Sequence, residues 1–476
     1  VFLLCLTVSA CGEDAREISA ACSFSQSGKA LKEDQNLLDR DYDTFASILA
    51  GRFLEIDAGG SVMGSVYFKY QDRTVNCHVE AYRDGTWHDA GSCGTYLTEW
   101  IPLPYKTTKV RLVNDSRSRL LISEVYAYAP GRQPRDCATW HTGGKCDLML
   151  ISCHPDDEVL WFGGLLPTYA GDRAYEVQVV CTVPSTPTRR LELLDSLWHC
   201  GVTRYPHFLG LKDARHSTLA GQYRTWQKDQ LLFSTVKAIR MFQPEVVVSH
   251  DLKGEYGHGA HMATADCAME AVELADNPKR YAGQVREYGV WTVKKLYLHL
   301  YPENVLEMDW HQSLDFFGGD DGITVASEAF LFHRSQLKTW AIEDGGAYSN
   351  ARFGLVSSTV GPDTEKNDFM ENTGLEPNPA ARFVFKTTEG PVEEDEADDT
   401  ANVLTVDLSP DFPDALPSPL PDAPSEETSE EIPDGLPEEV SQTPPEEAAD
   451  EAADEKTSLA EELLDENGVF HINLSE

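Results

Sequence analysis

The chain has 476 residues, with 79 acidic against 39 basic side chains and a formal charge of −40. That length accommodates two or three domains with a sizeable core. No basic stripe interrupts the acidic balance, which argues against nucleic acid as a partner and against electrostatic docking on an anionic membrane.

The first residues, "VFLLCLTVSACGEDA", read as a signal peptide whose beginning lies upstream. The apolar run Val1–Val8 is too short to span a bilayer. Val8-Ser9-Ala10 places small residues where a signal peptidase cuts, and Cys11 fits a bacterial lipobox. Lipidation at Cys11 and plain secretion stay equally open, and both predict an exported protein, extracellular or at the bacterial cell surface. In an oxidising compartment Cys77 could pair with Cys93, and Cys137 with Cys146. Cys153, Cys181, Cys200 and Cys267 sit in apolar contexts and read as buried thiols. No CxxC occurs, so a cysteine-type zinc site is not expected.

Residues 22–130 alternate in short runs ("RFLEIDAG", "SVYFKYQ", "CHVEAYRDGTW", "TKVRLVND", "LLISEVYAYAP") separated by turn residues. This pattern predicts a β-sandwich or jelly roll. Residues 140–375 then alternate strand and helix: "DLMLIS", "EVLWFGGLLPTYA", "AYEVQVVCTV", "PTRRLELLDSLWHCGV", one long helix "TWQKDQLLFSTVKAIRMFQ" and the strand "EVVVSH". The rhythm predicts a mostly parallel sheet with helices on both faces. From residue 391 the chain is acidic and proline-rich: 28 acidic residues and one lysine give −27 there, leaving −13 on residues 1–390. Such a tract is expected to stay disordered. No segment has the length and apolarity of a transmembrane span.

Chemistry gathers at two predicted strand ends. "SCHPDDEVLWFGG" packs His154, Asp156, Asp157 and Glu158 after the strand at 148–152. "HDLKGEYGHGAH" follows the strand ending near His250, with His258 and His261 at i, i+3. In open α/β sheets ligands bind at the carboxyl ends of strands. Two histidines and a carboxylate leave an open position on a divalent metal, and a second carboxylate can then take a proton from water. Zinc is the expected ion, although mixed nitrogen and oxygen donors admit other divalent metals. His250 reads as strand-end structure.

The two motifs together resemble the PIG-L/LmbE family of zinc-dependent N-deacetylases over residues 145–375. The resemblance implies a Rossmann-like α/β domain that removes acetyl groups from N-acetylglucosamine-type sugars or glycoconjugates. It implies His154, Asp157 and His261 as zinc ligands and Asp156 as general base. His258 would stabilise the oxyanion, Tyr256 would polarise the acetyl carbonyl, and Arg189 and Asp213 would orient substrate. Family members often carry an aspartate before the last histidine to orient the oxyanion histidine. Ala260 stands there in this chain, with Glu255 or Asp251 as replacements to be tested. Residues 22–130, with "LLDRDYDTF" and "KVRLVNDSRSRLLISEVYAY", resemble discoidin-like, galactose-binding-like modules, which implies a glycan partner. Trp87 and Trp100 would be sugar platforms, unless they are buried as sandwich tryptophans commonly are. An amidase for a larger acyl group, and a glycan-binding surface protein with weak catalysis, are the competing readings.

Overall fold

The structure, a computed structural model, describes residues 13–72 and 75–388. The leader with Cys11 and the acidic tract from residue 391 lie outside the described residues.

Ten strands build the expected antiparallel sandwich. They are β1 (Ser23–Gln26), β2 (Lys29–Ala30), β3 (Ala46–Ile48), β4 (Phe53–Asp57), β5 (Met63–Tyr70), β6 (Cys77–Arg83), β7 (Thr86–Cys93), β8 (Thr98–Thr107), β9 (Lys109–Asn114) and β10 (Leu120–Tyr128). One sheet runs β2-β1-β4-β9-β6-β7 and the other β3-β10-β5-β8. Period-two alternation explains β4, β6 and β9, where Leu54, Ile56, Val79, Ala81, Val110 and Leu112 face the core and polar neighbours face outward. β5 breaks the alternation because all eight of its residues are buried. One face meets the opposite sheet, and the other is covered by the second domain, where Lys69 reaches Asp195. The module also takes in part of the predicted leader. Glu17 bridges to Tyr128, and Ala15 and Ile18 are buried, because their apolar side chains fill the sandwich edge. Cys77 and Cys93 face each other across β6 and β7. Cys137 and Cys146 do not approach as a pair; they pack into separate core clusters.

The second domain is the expected mostly parallel α/β layer. Its strands are β11 (Leu148–Ser152), β12 (Val177–Cys181), β13 (His207–Phe208), β14 (Val246–Ser249), β15 (Lys295–His299), β16 (Val305–Glu307) and β17 (Arg352–Ser358). Their order is β13-β12-β11-β14-β15-β17-β16, with β17 antiparallel to both neighbours. From β11 the chain passes to β12 on one side and later returns to β14 on the other. That switch point opens a crevice beyond the carboxyl ends of β11 and β14.

The helices are α1 (Asp157–Leu160), α2 (Pro187–His199), α3 (Leu219–Trp226), α4 (Lys228–Phe242), α5 (Gly259–Ala275), α6 (Ala282–Tyr288) and α7 (Gly322–Phe330). Two differ from expectation. The helix read through "EVLWFGGLLPTYA" yields only α1 and a π-turn at Pro167–Asp172. Gly163 takes φ +48°, and a Cβ there would lie 2.8 Å from Asn350, so the chain must turn where a helix would run straight. The long helix expected before Pro244 breaks at Gln227, with φ 55° and ψ 102°. Trp226 is buried with its indole N–H on the Lys212 carbonyl, and Lys228 pairs with Asp266 and Glu270 of α5. Those tertiary anchors outweigh the helical pattern, which is worth little per residue. Deeper in the domain the buried Arg240 donates to the carbonyls of Leu274, Ala275, Asn277 and Arg280. It thereby satisfies the otherwise orphaned C-terminal end of α5.

Candidate active site

β11 delivers the HPDDE run directly into the crevice. Asp156 adopts φ 113°, a region costly for any residue with a Cβ, by about 1–3 kcal/mol. The strain is held by Glu158, whose Oε2 accepts the Asp156 N–H at 2.8 Å. Its Oε1 accepts from Ser196 at 2.8 Å and faces His333 at 2.6 Å. The third carboxylate of the run is thus a buried brace that aims the first two outward.

Three donor atoms converge at the bottom of the crevice. His154 Nδ1 lies 3.2 Å from Asp157 Oδ2 and 3.2 Å from His261 Nε2, which is itself 3.3 Å from Asp157 Oδ2. A tetrahedral ion with bonds of about 2.0–2.1 Å requires ligand atoms about 3.3 Å apart. The triangle fits that requirement. Cys153 flanks the group, with Sγ 3.7 Å from His154 Nε2. Burial pushes its thiol up, as does the Asp157 charge. Asp157 Oδ1 accepts from Trp161 Nε1 at 2.8 Å, which fixes the carboxylate plane. Burial alone would raise the Asp157 carboxyl, but the neighbouring His261, His154 and His250 hold it well below the usual range.

Asp156 behaves in the opposite way. Burial first, and then the charge of Asp157, push its carboxyl well above the usual range, with Arg189 opposing. Arg189 Nη2 sits 3.0 Å from Asp156 Oδ1 and also donates to the Pro155 carbonyl. Its helix, α2, starts at a Thr186 cap with Pro187 in the first turn. Asp213 stands at the mouth, 3.8 Å from His154 Nε2 and about half exposed.

On the other wall, His258 caps α5, which starts at Gly259. His258 Nδ1 accepts the Ala260 N–H at 3.2 Å, so this nitrogen carries the lone pair and Nε2 the proton. Burial, with His261 and His154 nearby, lowers its pKa to about 3. Neither proposed substitute for the missing aspartate reaches it. Asp251 accepts from its own loop at Lys253, and Glu255 is occupied elsewhere. Ala260 packs into the apolar core between α5 and the sheet, where a carboxylate would be buried among alkyl groups. A backbone amide does the orienting instead. Tyr256, at φ 46°, leans on Trp340, and Trp161 touches Trp340 and Tyr348.

Sequence reasoning missed Glu255 as an organiser. Its Oε2 meets His250 Nδ1 at 2.9 Å and His261 Nδ1 at 2.7 Å. Its Oε1 meets His299 Nδ1 at 2.6 Å and the Asp251 N–H at 3.2 Å. His250 Nε2 accepts the Cys153 N–H at 2.9 Å, so the strand-end histidine ties β14 to the start of the HPDDE loop. Trp340 and Tyr348 were missed as well; the only hint is their place in the glycine-rich "TWAIEDGGAYSN" stretch. In the sandwich, Trp100 is buried on β8 and is no platform. Trp87 is half-buried under the Arg111 guanidinium, 3.7 Å from its ring.

The chain is similar to several known proteins. The family model for PIG-L, GlcNAc-PI de-N-acetylase, matches residues 149–272. The 1D-myo-inositol 2-acetamido-2-deoxy-alpha-D-glucopyranoside deacetylase 1 of Catenulispora acidiphila is 31% identical over 240 residues, covering 44% of this chain and 73% of that protein. Among solved structures, N,N'-diacetylchitobiose deacetylase from Pyrococcus horikoshii aligns over 40% of this chain and 71% of its own, at 21% identity and a TM-score of 0.31. The family 32 CBM from C. perfringens NanJ aligns over 24% of this chain and 98% of its own, at 10% identity and a TM-score of 0.21. Among the described residues no helix is long and apolar enough to cross a membrane.

Proposed function

The chain belongs to the PIG-L family of metal-dependent deacetylases, and from that membership we propose that it hydrolyses the acetamide of a 2-acetamido-2-deoxy sugar with zinc held by His154, Asp157 and His261. The observation that carries this reading is the triangle of donors 3.2–3.3 Å apart, with the raised carboxyl of Asp156 beside it. When bound, zinc supplies Lewis acidity and makes water a nucleophile at neutral pH.

Asp156 accepts the proton as a water oxygen bonds to the acetyl carbon. Burial raises the basicity of this carboxylate, and Arg189 holds its orientation. The carbonyl oxygen gains negative charge, and His258 donates its Nε2 hydrogen to it. The Tyr256 hydroxyl is the second donor; such a donor is worth about 2.7–4 kcal/mol in the transition state. With its Nδ1 engaged by a backbone N–H, His258 acts as a neutral donor, so the proton shuttle falls to Asp156. The C–N bond then breaks, Asp156 returns its proton to the departing amine, and acetate is released. Asp213 at the mouth and the aromatic wall of Trp161, Trp340 and Tyr348 are placed to hold the sugar.

The β-sandwich is assigned a glycan-binding role, and the leader-like residues 1–11 support action outside the cytoplasm. The test of the chemistry is acetate release by the purified protein from a panel of N-acetylated sugars, with and without a chelator. Release of only longer acyl groups would favour the amidase reading. Metal binding without any turnover would favour a glycan-binding protein.

A further inference from the structure

The sandwich is not tethered to the catalytic domain by a linker; it grips α2, the helix that carries Arg189. Lys69 Nζ lies 2.7 Å from Asp195, which also accepts from Tyr42 at 2.6 Å, and the Lys69 and Asp195 side chains are under one-tenth exposed. In the first turn of α2, Thr188 donates to Asp43, and Arg190 Nη2 lies 2.9 Å from Asp72 Oδ1. Arg189, between those two residues, points the other way onto Asp156. Three consecutive side chains thus join two sandwich loops to the general base. Asp72 lies within roughly 25 Å of Asp156, the reach of two arginine side chains joined by a Cα step of about 3.8 Å.

Beside Asp72 the sandwich opens a cavity of about 350 Å³, walled by Phe45, Ser47, Asp72, Arg119 and Leu121. The size lies at the lower end of small-ligand sites. Its chemistry is that of sugar recognition. Phe45 is 37% exposed, an aromatic face free to stack on a pyranose ring. Arg119 is exposed and has no ion-pair partner among the described residues, and Asp72 offers a carboxylate. The Ser47 hydroxyl is out of contact with solvent and without a hydrogen-bond partner. An apolar platform flanked by a guanidinium donor and a carboxylate acceptor matches a ring with one hydrophobic face and equatorial hydroxyls.

Given the deacetylase reading above, we propose that this cavity is a distal sugar subsite of the same active site, and that the substrate is an oligosaccharide long enough to span from the metal centre to Phe45. The buried Lys69–Asp195–Tyr42 cluster holds the two sites at a set spacing. The sandwich then selects chain length, and the sugars between the two sites pass over the first turn of α2.

The test uses the full chain with zinc and compares kcat/KM for acetate release on N-acetylglucosamine and its β-linked oligomers of increasing length. Efficiency is expected to rise about tenfold once a chain reaches the cavity, which corresponds to roughly 1.4 kcal/mol of added transition-state binding. In Phe45→Ala and Arg119→Ala the ratio of long-chain to short-chain efficiency should fall close to one. Both side chains are exposed, so the fold should tolerate the changes, with melting temperature as the check. Equal efficiency on all lengths, or a length dependence that survives both variants, overturns the subsite while leaving the deacetylase intact. No acetate from any member, with zinc bound, overturns the deacetylase reading and the subsite with it.

Discussion

Replacing Glu255 with glutamine probes the least conspicuous part of the centre. The carboxylate receives four hydrogen bonds, three of them from buried histidines. Glutamine keeps one accepting oxygen and turns the other into an NH₂ that faces N–H donors. Two of the three rings cannot simply move their protons. His250 Nε2 already accepts from Cys153, and His261 Nε2 must keep its lone pair for the metal. His299 Nε2 instead faces the Ser349 carbonyl at 3.0 Å, so its proton can rest there and Nδ1 can accept from the new NH₂. The bond from the Asp251 N–H is therefore lost and those from His250 and His261 lose their charge assistance, so a stability loss of about 1.5–3 kcal/mol is expected. Removing the outer partner of a ligating histidine should also weaken metal affinity about 10–100-fold. Thermal unfolding of the metal-free protein measures the first effect, and zinc titration against a competing chromophoric chelator measures the second. Wild-type stability together with wild-type zinc affinity would refute the view that one carboxylate sets the tautomers of the centre.

Asp157→Ala should abolish zinc binding, whereas Asp156→Asn should keep zinc and lose about 10²–10⁴-fold in kcat; equal zinc loss in both would contradict the split between ligand and base. Glu124 offers a pH test: burial pushes its carboxyl up to about 7 against 4.5 for a free glutamate. A raised carboxyl favours the protonated folded state, so its penalty is absent below about pH 4.5, grows as pH rises and is complete above about 7. Glu124→Gln should therefore stabilise the fold by up to about 3 kcal/mol at pH 8 and not at pH 4.5, read as a rise in melting temperature, and an equal rise at both would exclude titration as the cause. Trp340→Ala should raise KM for the sugar more than it lowers kcat, because the ring supports Tyr256 and the wall rather than the reacting atoms; steady-state kinetics would reveal the reverse pattern if Trp340 acts in the chemical step.

Much of the centre was legible because its chemistry is local. His154, Asp156 and Asp157 fall within four residues, and His258 and His261 sit one helical turn apart, so strand-end reasoning brought both clusters to one crevice. The β-sandwich and the mostly parallel sheet were likewise readable, since periods of two and 3.6 are properties of the chain itself. What the sequence could not convey depends on contacts between distant segments. Glu255 looked like a substitute for an acid near His258, yet the fold turns it onto His250, His261 and His299, the last 44 residues away. The break at Gln227 and the full burial of β5 arise from partners in α5 and α2, against which local propensity counts for little. Local pattern determined which residues could do the chemistry. The tertiary structure alone decided that Glu158 braces the turn, that Asp157 faces His154 and His261 and that Asp156 faces Arg189, because those placements follow from burial and hydrogen-bond partners supplied by other parts of the chain.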